Sequence, residues 1–297
     1  MQWEELRADQ FEKAVKDTKG VCILPIGVLE YHGSHLPLGT DVLISRYVAF
    51  QVAQIEPAIV FPAIHFSSNF ETKALPGGIT IDNQLLFALF ENICDEIARN
   101  GCKKIVLISG HGGNKWFIPQ FVMSMLDKDK DWVPYYFDAR GKDPDAVGGY
   151  MNKDLFYQVF ESEEYGHACE WETSEMLHIQ PELVDMEKAQ QINEPPRDDL
   201  KHLKHMYTPM DWVSMQPDLT RGTPGYSTAE KGRTFLEDQI QTLAEMVKLV
   251  KEDTRALEVY KAFNQRIYRR WEKIPTPYRI TNQIFFFSRT SYLLIIS

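Results

Sequence analysis

At 297 residues the chain is long enough for one large α/β domain, because single hydrophobic cores keep growing to roughly 250–300 residues. Its 44% hydrophobic and 25% charged residues are the balance of an ordinary globular protein and exclude extensive disorder. The net charge of −10 argues against a nucleic-acid partner, since phosphate binding needs a concentrated positive surface.

Strands alternate with helices along the first half of the sequence. Apolar runs predict buried strands over 21–27, 58–66, 103–108 and 132–138. Helical spacing of apolar residues predicts helices over 41–55, 82–100 and 114–126. Pro62 interrupts the second run, so that strand bends or ends there. This alternation predicts an α/β protein with a mostly parallel central sheet between two helical layers.

The C-terminal third begins with a helix and ends in an unusual tail. Ser227 and Glu230 are interpreted as a capping box that opens a helix of about 25 residues. The runs 284–287 and 292–296 are apolar and almost uncharged, and they predict a strand packed on the body or on a second subunit. We expect one domain over residues 1–260 and a tail of unknown role over 261–297.

The sequence shows neither an export signal nor a membrane anchor. Its N-terminal segment is charged and amphipathic, without the apolar stretch that precedes a signal cleavage site. No window reaches the roughly 20 apolar residues of a membrane-spanning helix. The four cysteines lack the paired short spacings of a zinc ribbon, which favours reduced thiols. We therefore expect a cytoplasmic protein without a membrane partner.

A first group of ionisable side chains directly follows the first predicted strand. Glu30 and His32 are two residues apart, so an extended backbone points both at one site, and Asp41 returns at the start of the next helix. Carboxyl ends of strands are where open α/β sheets bind ligands. Buried ionisable groups need charge compensation, which a divalent cation supplies. The alternatives are an N-cap role for Asp41 and a loop-holding hydrogen bond for His35.

Two further groups repeat this pattern. His111 follows the third predicted strand between glycines that allow the backbone to approach a ligand, and Asn114 suits the helix N-cap. The segment 167–174 supplies another imidazole and two carboxylates, His167, Glu170 and Glu172. Cys169, in an apolar neighbourhood, is interpreted as an inert core residue rather than a nucleophile.

These three groups resemble the motifs of the creatininase family, E-x-H-G-x-H-L-P-x-G-T-D, G-H-G-G-N and H-A-x-x-x-E-T-S, in that order. The resemblance spans roughly residues 20–250. It implies a three-layer α/β/α fold, a dinuclear metal centre and a ring-shaped homohexamer. It also implies roles for individual residues. The ligands of one ion are Glu30, Asp41 and His111, those of the other include His32 and Asp41, and the catalytic residues are His167 and Glu172.

One difference bears on the substrate. Creatinine-hydrolysing members of the family carry Tyr and Glu where this chain has Gly112 and Gly113, and that Glu is a ligand of the second ion. Glu172, Glu170 or water can take its place. The glycine pair argues against creatinine itself as the substrate.

The expected function is a metal-dependent amidohydrolase that acts on a small cyclic amide, lactam, formamide or lactone. A hydroxide held by two ions of zinc, manganese or iron would attack the carbonyl, and His167 would protonate the leaving group. Two alternatives remain open. The first is a regulatory protein that binds metal without turnover, and the second is a metal-dependent isomerase or lyase acting on a keto sugar.

Overall fold

The computed structural model describes residues 1–138, 152–163, 165–192, 197, 199–203, 205–216 and 218–272. The helices and strands follow one another in this order: α1 (Ala8–Asp17), β1 (Val21–Ile26), α2 (Thr40–Ile55), β2 (Ile59–Val60), α3 (Asn83–Arg99), β3 (Lys104–Ser109), α4 (Asn114–Ser124), β4 (Val133–Asp138), α5 (Lys153–Val159), β5 (Tyr165–His167), α6 (Glu170–Ile179), α7 (Met186–Ala189), α8 (Asp211–Met215), β6 (Arg221–Gly222), α9 (Ala229–Glu252) and α10 (Ala256–Glu272).

The main sheet has the strand order β2-β1-β3-β4, and all its neighbouring strands are parallel. All six residues of β1 are buried, as the continuous apolar run requires of a strand covered on both faces. The second predicted strand is reduced to the two residues of β2 and ends before Pro62. The predicted parallel sheet is confirmed.

Helices cover both faces of this sheet. Ile23 and Val106 belong to the core on one face, together with residues of α2 and α9. Their chain neighbours Leu24 and Leu107 belong to the core on the opposite face, with residues of α3 and α4. Successive side chains of a strand point to opposite faces, so the apolar strands build two separate cores. The three-layer α/β/α architecture is confirmed.

A second, two-stranded sheet brings the third group of ionisable side chains to the main sheet. Strands β5 and β6 are antiparallel and pair His167 with Arg221. The following helix α6 packs against α9 so closely that a Cβ on Gly232 would lie 1.9 Å from the carbonyl oxygen of Ser174. Because Gly232 has no side chain, α6 lies deep enough to face the first group.

The helix after residue 228 forms as expected, but its predicted capping box is wrong. Thr228 is the N-cap, and its side chain accepts a hydrogen bond from Lys231 N. The Ser227 hydroxyl donates instead to the Glu170 carbonyl at 3.0 Å, while Glu230 pairs with Arg233. The Ser227 hydroxyl therefore links α9 to α6 instead of capping α9.

The chain continues past residue 260 in helix α10. Tyr260 Oη lies 2.5 and 2.6 Å from the carbonyl oxygens of Met125 and Lys128, and Asn264 Nδ2 donates to the Lys128 carbonyl at 3.0 Å. The boundary at residue 260 stays a prediction, and the apolar runs 284–287 and 292–296 lie outside the described residues. Among the described helices, none has the length and apolar character needed to cross a membrane.

Candidate metal centre

Glu30 is fixed by backbone contacts on both sides of its segment. Its own N–H donates to the Leu38 carbonyl at 3.0 Å, and the Leu29 carbonyl accepts from Ile79 N at 2.9 Å. A Cβ on Gly78 would lie 3.8 Å from the Glu30 Cα, so the segment after residue 67 wraps around this backbone. The Glu30 residue is only 1% exposed, which places its carboxylate inside the protein at the end of β1.

Asp41 reaches the same point because two glycines make room for it. A Cβ on Gly27, after β1, would lie 2.4 Å from Val42 N, and a Cβ on Gly110, after β3, would lie 2.4 Å from the Asp41 carbonyl oxygen. The first turn of α2 therefore rests directly on the ends of both strands. The N-cap of α2 is Gly39, and Asp41 is the second helical residue, so the N-cap alternative for Asp41 is wrong.

Asp41 and Glu30 face the same two imidazoles. Asp41 Oδ1 lies 3.2 Å from His32 Nε2, and Asp41 Oδ2 lies 3.0 Å from His111 Nδ1. Glu30 Oε1 lies 2.9 Å from His111 Nδ1 and 3.8 Å from His32 Nε2. All four side chains are at least 95% buried. One aspartate thus stands between two histidines, with a glutamate on the same side.

The donor atoms form three overlapping groups, each with its members within 4.8 Å of one another. One group consists of Glu30, Asp41 and His111. A second consists of His32, Asp41 and Glu172. The third consists of Glu30, His32 and His167. The first two share Asp41, so its carboxylate belongs to both of these groups.

Backbone carbonyls set the orientation of each imidazole. His111 Nε2 lies 2.9 Å from Ser68 O, His167 Nε2 lies 2.7 Å from Tyr31 O, and His32 Nδ1 lies 3.3 Å from Glu30 O. A carbonyl only accepts, so these nitrogens carry the hydrogen. The opposite ring nitrogens then face carboxylate oxygens, where they bind either a metal ion or a second proton.

The electrostatics of the metal-free centre favour that second proton. Burial would lower the pKa of His32, but the carboxylates of Asp41 and Glu30 outweigh it and raise this pKa to about 9. The same two carboxylates raise the pKa of His111 well above its usual value, again against burial. Burial would raise the pKa of Asp41, but both imidazoles hold it well below its usual range. The pocket therefore attracts positive charge strongly.

The segment that carries His167 and Glu172 contains a residue with a strained backbone, Ala168. Ala168 has a φ of 50°, in the left-handed region that non-glycine residues rarely adopt. This backbone directs Ala168 N to Glu172 Oε2 at 2.6 Å, and His167 lies one residue before it. Such conformations persist where the surrounding structure enforces them, and they cluster at functional sites. The strain thus fixes the relative placement of His167 and Glu172.

Known proteins resemble this chain in sequence and in fold. The model of the creatininase family, described as creatinine amidohydrolase, matches residues 4–247. The chain belongs to the creatininase family. It is 28% identical over 262 residues to the creatinine amidohydrolase of Pseudomonas putida, covering 82% of this chain and 95% of the relative. It is 27% identical over 247 residues to the mycofactocin precursor peptide peptidase of Mycolicibacterium smegmatis, covering 79% and 87%.

Solved creatininase structures have the same fold. A mutant creatininase of the Zn-Zn type superimposes with a TM-score of 0.71 at 25% identity, covering 85% of this chain and 98% of the other. A manganese creatininase gives a TM-score of 0.68 at 25% identity, covering 85% and 99%. The chain is an enzyme of the creatininase type, a metal-dependent amidohydrolase.

Gly112 and Gly113, the pair that departs from the creatinine-hydrolysing pattern, differ in their surroundings. A Cβ on Gly112 would meet nothing within 4 Å, so this position borders open space. A Cβ on Gly113 would lie 2.5 Å from His111 Nε2 and 3.1 Å from Ser68 O. Any side chain at position 113 would therefore displace the His111 ring from its carbonyl partner.

Glu170 and Glu172 were both candidates for the missing ligand, and the structure separates them. Glu172 joins His32 and Asp41 in one donor group. Glu170 Oε2 accepts from Ser162 N at 2.7 Å and Glu170 Oε1 accepts from Lys231 Nζ at 2.6 Å. Glu170 belongs to none of the three donor groups. Its carboxylate ties the segment before β5 to α9.

The contacts of His35 and Cys169 are those of residues that stabilise the fold. His35 Nε2 lies 2.9 Å from Thr173 Oγ1, which links the first group of ionisable side chains to α6. Burial and the nearby charge of His32 lower the pKa of His35 to about 4, so its ring is neutral at pH 7. Cys169 is fully buried in an aromatic cluster with Phe156 and Phe235. Both contacts agree with the structural interpretations of these residues.

Sequence reasoning missed the backbone part of the centre. The Ser68 and Tyr31 carbonyls orient two imidazoles, but residue type carries no signal for a backbone acceptor. The predicted N-cap role of Asn114 is wrong, because Gly113 is the N-cap of α4 and the Asn114 side chain contacts Ser67 and Ser109. The polar run 67–69 after an apolar strand was the available signal for this segment.

Proposed function

We propose that this enzyme hydrolyses an amide-type bond of a small substrate at a centre of two divalent ions. Glu30, Asp41 and His111 would hold one ion, and His32, Asp41 and Glu172 the other. The observation that carries the proposal is the position of Asp41, whose two carboxylate oxygens each face a different imidazole nitrogen at 3.2 and 3.0 Å. A carboxylate that bridges two ions can present one oxygen to each of them, beside one imidazole ligand of each ion.

The donor atoms fit divalent ions. Glu30 Oε1 is buried and accepts no well-aligned hydrogen bond in the described part of the chain, although His111 Nδ1 is 2.9 Å away. Three carboxylates offset most of the charge of two divalent ions. Mixed nitrogen and oxygen donors favour zinc, manganese or iron over calcium. The zinc and manganese forms of the related creatininases support this choice.

When bound, such ions would supply a nucleophilic water at neutral pH and polarise the scissile carbonyl. His167 would act as the proton donor. Its Nε2–H is held by Tyr31 O, so Nδ1 points towards Glu30 Oε1 at 3.7 Å and into the centre. His167 is 8% exposed, more than His32 or His111, which suits a group that contacts substrate. A proton on Nδ1 would pass to the departing nitrogen or oxygen.

The open space beside Gly112 bears on the substrate class. A side chain at this position in creatinine-hydrolysing relatives would contact a small planar ring, whereas Gly112 offers only backbone. Each hydrogen bond that a substrate loses costs about 1–3 kcal/mol when a buried partner is left unsatisfied. We therefore expect a larger cyclic amide, a formamide-bearing ring, a lactone or a peptide amide rather than creatinine.

Substrate profiling tests the proposal. Purified protein loaded with zinc, manganese or iron is assayed against creatinine, formamidopyrimidines, cyclic ureides, sugar lactones and short peptides, each before and after chelation. We expect creatinine to be a poor substrate and chelation to abolish turnover. Gly112→Ala should fold normally, because its Cβ meets nothing within 4 Å, and should slow the larger substrates.

Three outcomes would contradict the proposal. Full activity in metal-free protein would exclude the metal centre from catalysis. Creatinine turnover that matches or exceeds that of every larger substrate would overturn the interpretation of the glycine pair. A product isomeric with its substrate would assign an isomerase instead of a hydrolase. The homohexamer and the cytoplasmic location stay predictions, which light scattering and cell fractionation would test.

A further inference from the structure

We propose that Asn114 is a positioning residue for His111, acting through Ser67 and Ser109. The inference rests on the proposed metal centre, because its effect is exerted on a ligand of that centre. Asn114 is completely buried at the start of α4, immediately after the glycine pair. Its amide oxygen and its amide nitrogen each form a hydrogen bond with a serine that contacts His111 or adjoins a residue that does.

One arm of Asn114 fixes the acceptor of the His111 ring. The Ser67 hydroxyl donates to Asn114 Oδ1, and both residues are fully buried. The next residue, Ser68, presents the carbonyl that accepts from His111 Nε2 at 2.9 Å. Holding Ser67 therefore holds the oxygen that keeps the hydrogen of the imidazole on Nε2.

The other arm fixes the His111 backbone. Asn114 Nδ2 donates to Ser109 Oγ at 3.1 Å. The same hydroxyl donates to the His111 carbonyl at 3.0 Å and accepts from His111 N at 3.2 Å. Hydrogen bonds and covalent links thus form a closed circuit from Asn114 through Ser67, the adjacent Ser68 carbonyl, the His111 ring and backbone, and Ser109 back to Asn114. Both the position and the rotation of the ring are determined by it.

The surroundings of this circuit show what it fixes. Glycine at position 113 leaves room for the ring beside its acceptor, because a Cβ there would lie 2.5 Å from His111 Nε2 and 3.1 Å from Ser68 O. With Nε2 bound to Ser68 O, His111 Nδ1 must face Glu30 Oε1 at 2.9 Å and Asp41 Oδ2 at 3.0 Å. Without the Ser68 acceptor the ring would be free to rotate, and Nε2 instead of Nδ1 would then be able to face the two carboxylates.

A purely structural role predicts a different result. Asn114 makes no side-chain cap to α4, so its hydrogen bonds are directed to the strand and loop around His111 rather than to the helix. Groups that hold the second nitrogen of a metal-binding histidine typically change metal affinity by about 10–100-fold when removed. Loss of a buried amide far from the centre would lower stability alone.

The experiment compares Asn114→Ala and Ser67→Ala with Asn264→Ala. Asn264, on α10, is a matched control. Its amide is also buried, and it donates to the backbone carbonyl of Lys128. The zinc dissociation constant is measured by chelator competition, and cobalt-substituted protein gives the ligand-field absorption spectrum. Ser67→Thr, which keeps the hydroxyl, tests for rescue.

We expect Asn114→Ala and Ser67→Ala to bind zinc about 10–100-fold more weakly and to change the cobalt spectrum. Asn264→Ala should keep both properties, and Ser67→Thr should restore affinity relative to Ser67→Ala. Wild-type affinity in folded Ser67→Ala and Asn114→Ala would overturn the inference while leaving the metal centre intact; if Asn114→Ala does not fold, Ser67→Ala decides. Absence of metal binding by the wild-type chain would instead overturn the proposed function, and the inference with it.

Discussion

Two buried carboxylate clusters lie on either side of helix α6, and they differ in their source of positive charge. Glu170, 1% exposed, is paired with Lys231 Nζ at 2.6 Å. Glu30 and Asp41 are equally buried, but in the described part of the chain their only partners within ion-pair distance are imidazoles. A buried carboxylate needs a compensating cation. The first cluster contains a permanent one in Lys231, whereas the second has only imidazoles, which compensate the carboxylates by taking up a proton or a metal ion from outside.

The geometry of α6 explains this division. Glu170 and Glu172 are two positions apart, and two helical steps turn a side chain through roughly 200°. Glu170 therefore points towards α9 and Glu172 towards Asp41. The two neighbouring acidic residues thus face different clusters, and we propose a structural role for Glu170 and a ligand role for Glu172. Substitutions in the two clusters should have separable effects on stability and on activity.

The largest effect should come from His167→Ala in the cluster that needs an external cation. Loss of a proton donor lowers turnover by about 10²–10⁴-fold, because the leaving group then departs unprotonated. Metal content should stay near that of the wild type, since His167 lies outside the two proposed ligand sets. Steady-state kinetics with elemental analysis would measure both. Loss of metal together with activity would make His167 a ligand.

The self-compensated cluster should respond through stability. Lys231→Met leaves the Glu170 carboxylate buried with only backbone N–H partners, which destabilises the fold by about 3–5 kcal/mol. Metal affinity should not change. Urea unfolding and zinc titration of the same preparation provide the two measurements. A variant of unchanged stability that binds zinc more weakly would contradict the assignment of this cluster to structure.

The smallest effect is a dependence of stability on pH that metal should remove. In metal-free protein the pKa of His32 is raised to about 9 by Asp41 and Glu30. The proton therefore stabilises the fold fully below about pH 6.5, and this contribution of up to roughly 3 kcal/mol is lost as the pH rises through about 9. Metal-loaded protein holds this imidazole neutral at both pH values. The free energy of unfolding is measured against pH with and without chelator. The same pH dependence in both series would contradict this expectation.

The sequence predicts those elements of the fold that local patterns determine, and it fails where a tertiary contact decides. The run 21–27 and the spacing over 41–55 gave β1 and α2 nearly to the residue, because burial on both faces and helical periodicity are local patterns. The helix after residue 228 was predicted correctly but its cap was not. Ser227 makes a tertiary hydrogen bond to Glu170, which no local pattern contains.

The candidate site shows the same limit. Glu30, His32 and Asp41 were found because three ionisable residues near a buried strand are unusual, and the structure places them together. The glycines gave an incomplete signal, since Gly110 makes room for the Asp41 backbone rather than for a ligand. The choice of Glu172 over Glu170 depends on which face of α6 meets the sheet. Only tertiary packing determines that.

Metal stoichiometry is the most direct test of the two-ion centre. Purified chain is stripped, reloaded with zinc and analysed by mass spectrometry beside Glu172→Gln and its matched control Glu170→Gln. We expect about two ions per chain in the wild type and in Glu170→Gln, and about one in Glu172→Gln, which loses a ligand of a single ion. A wild-type chain that retains no zinc, or Glu172→Gln that retains both ions, would contradict the proposed centre.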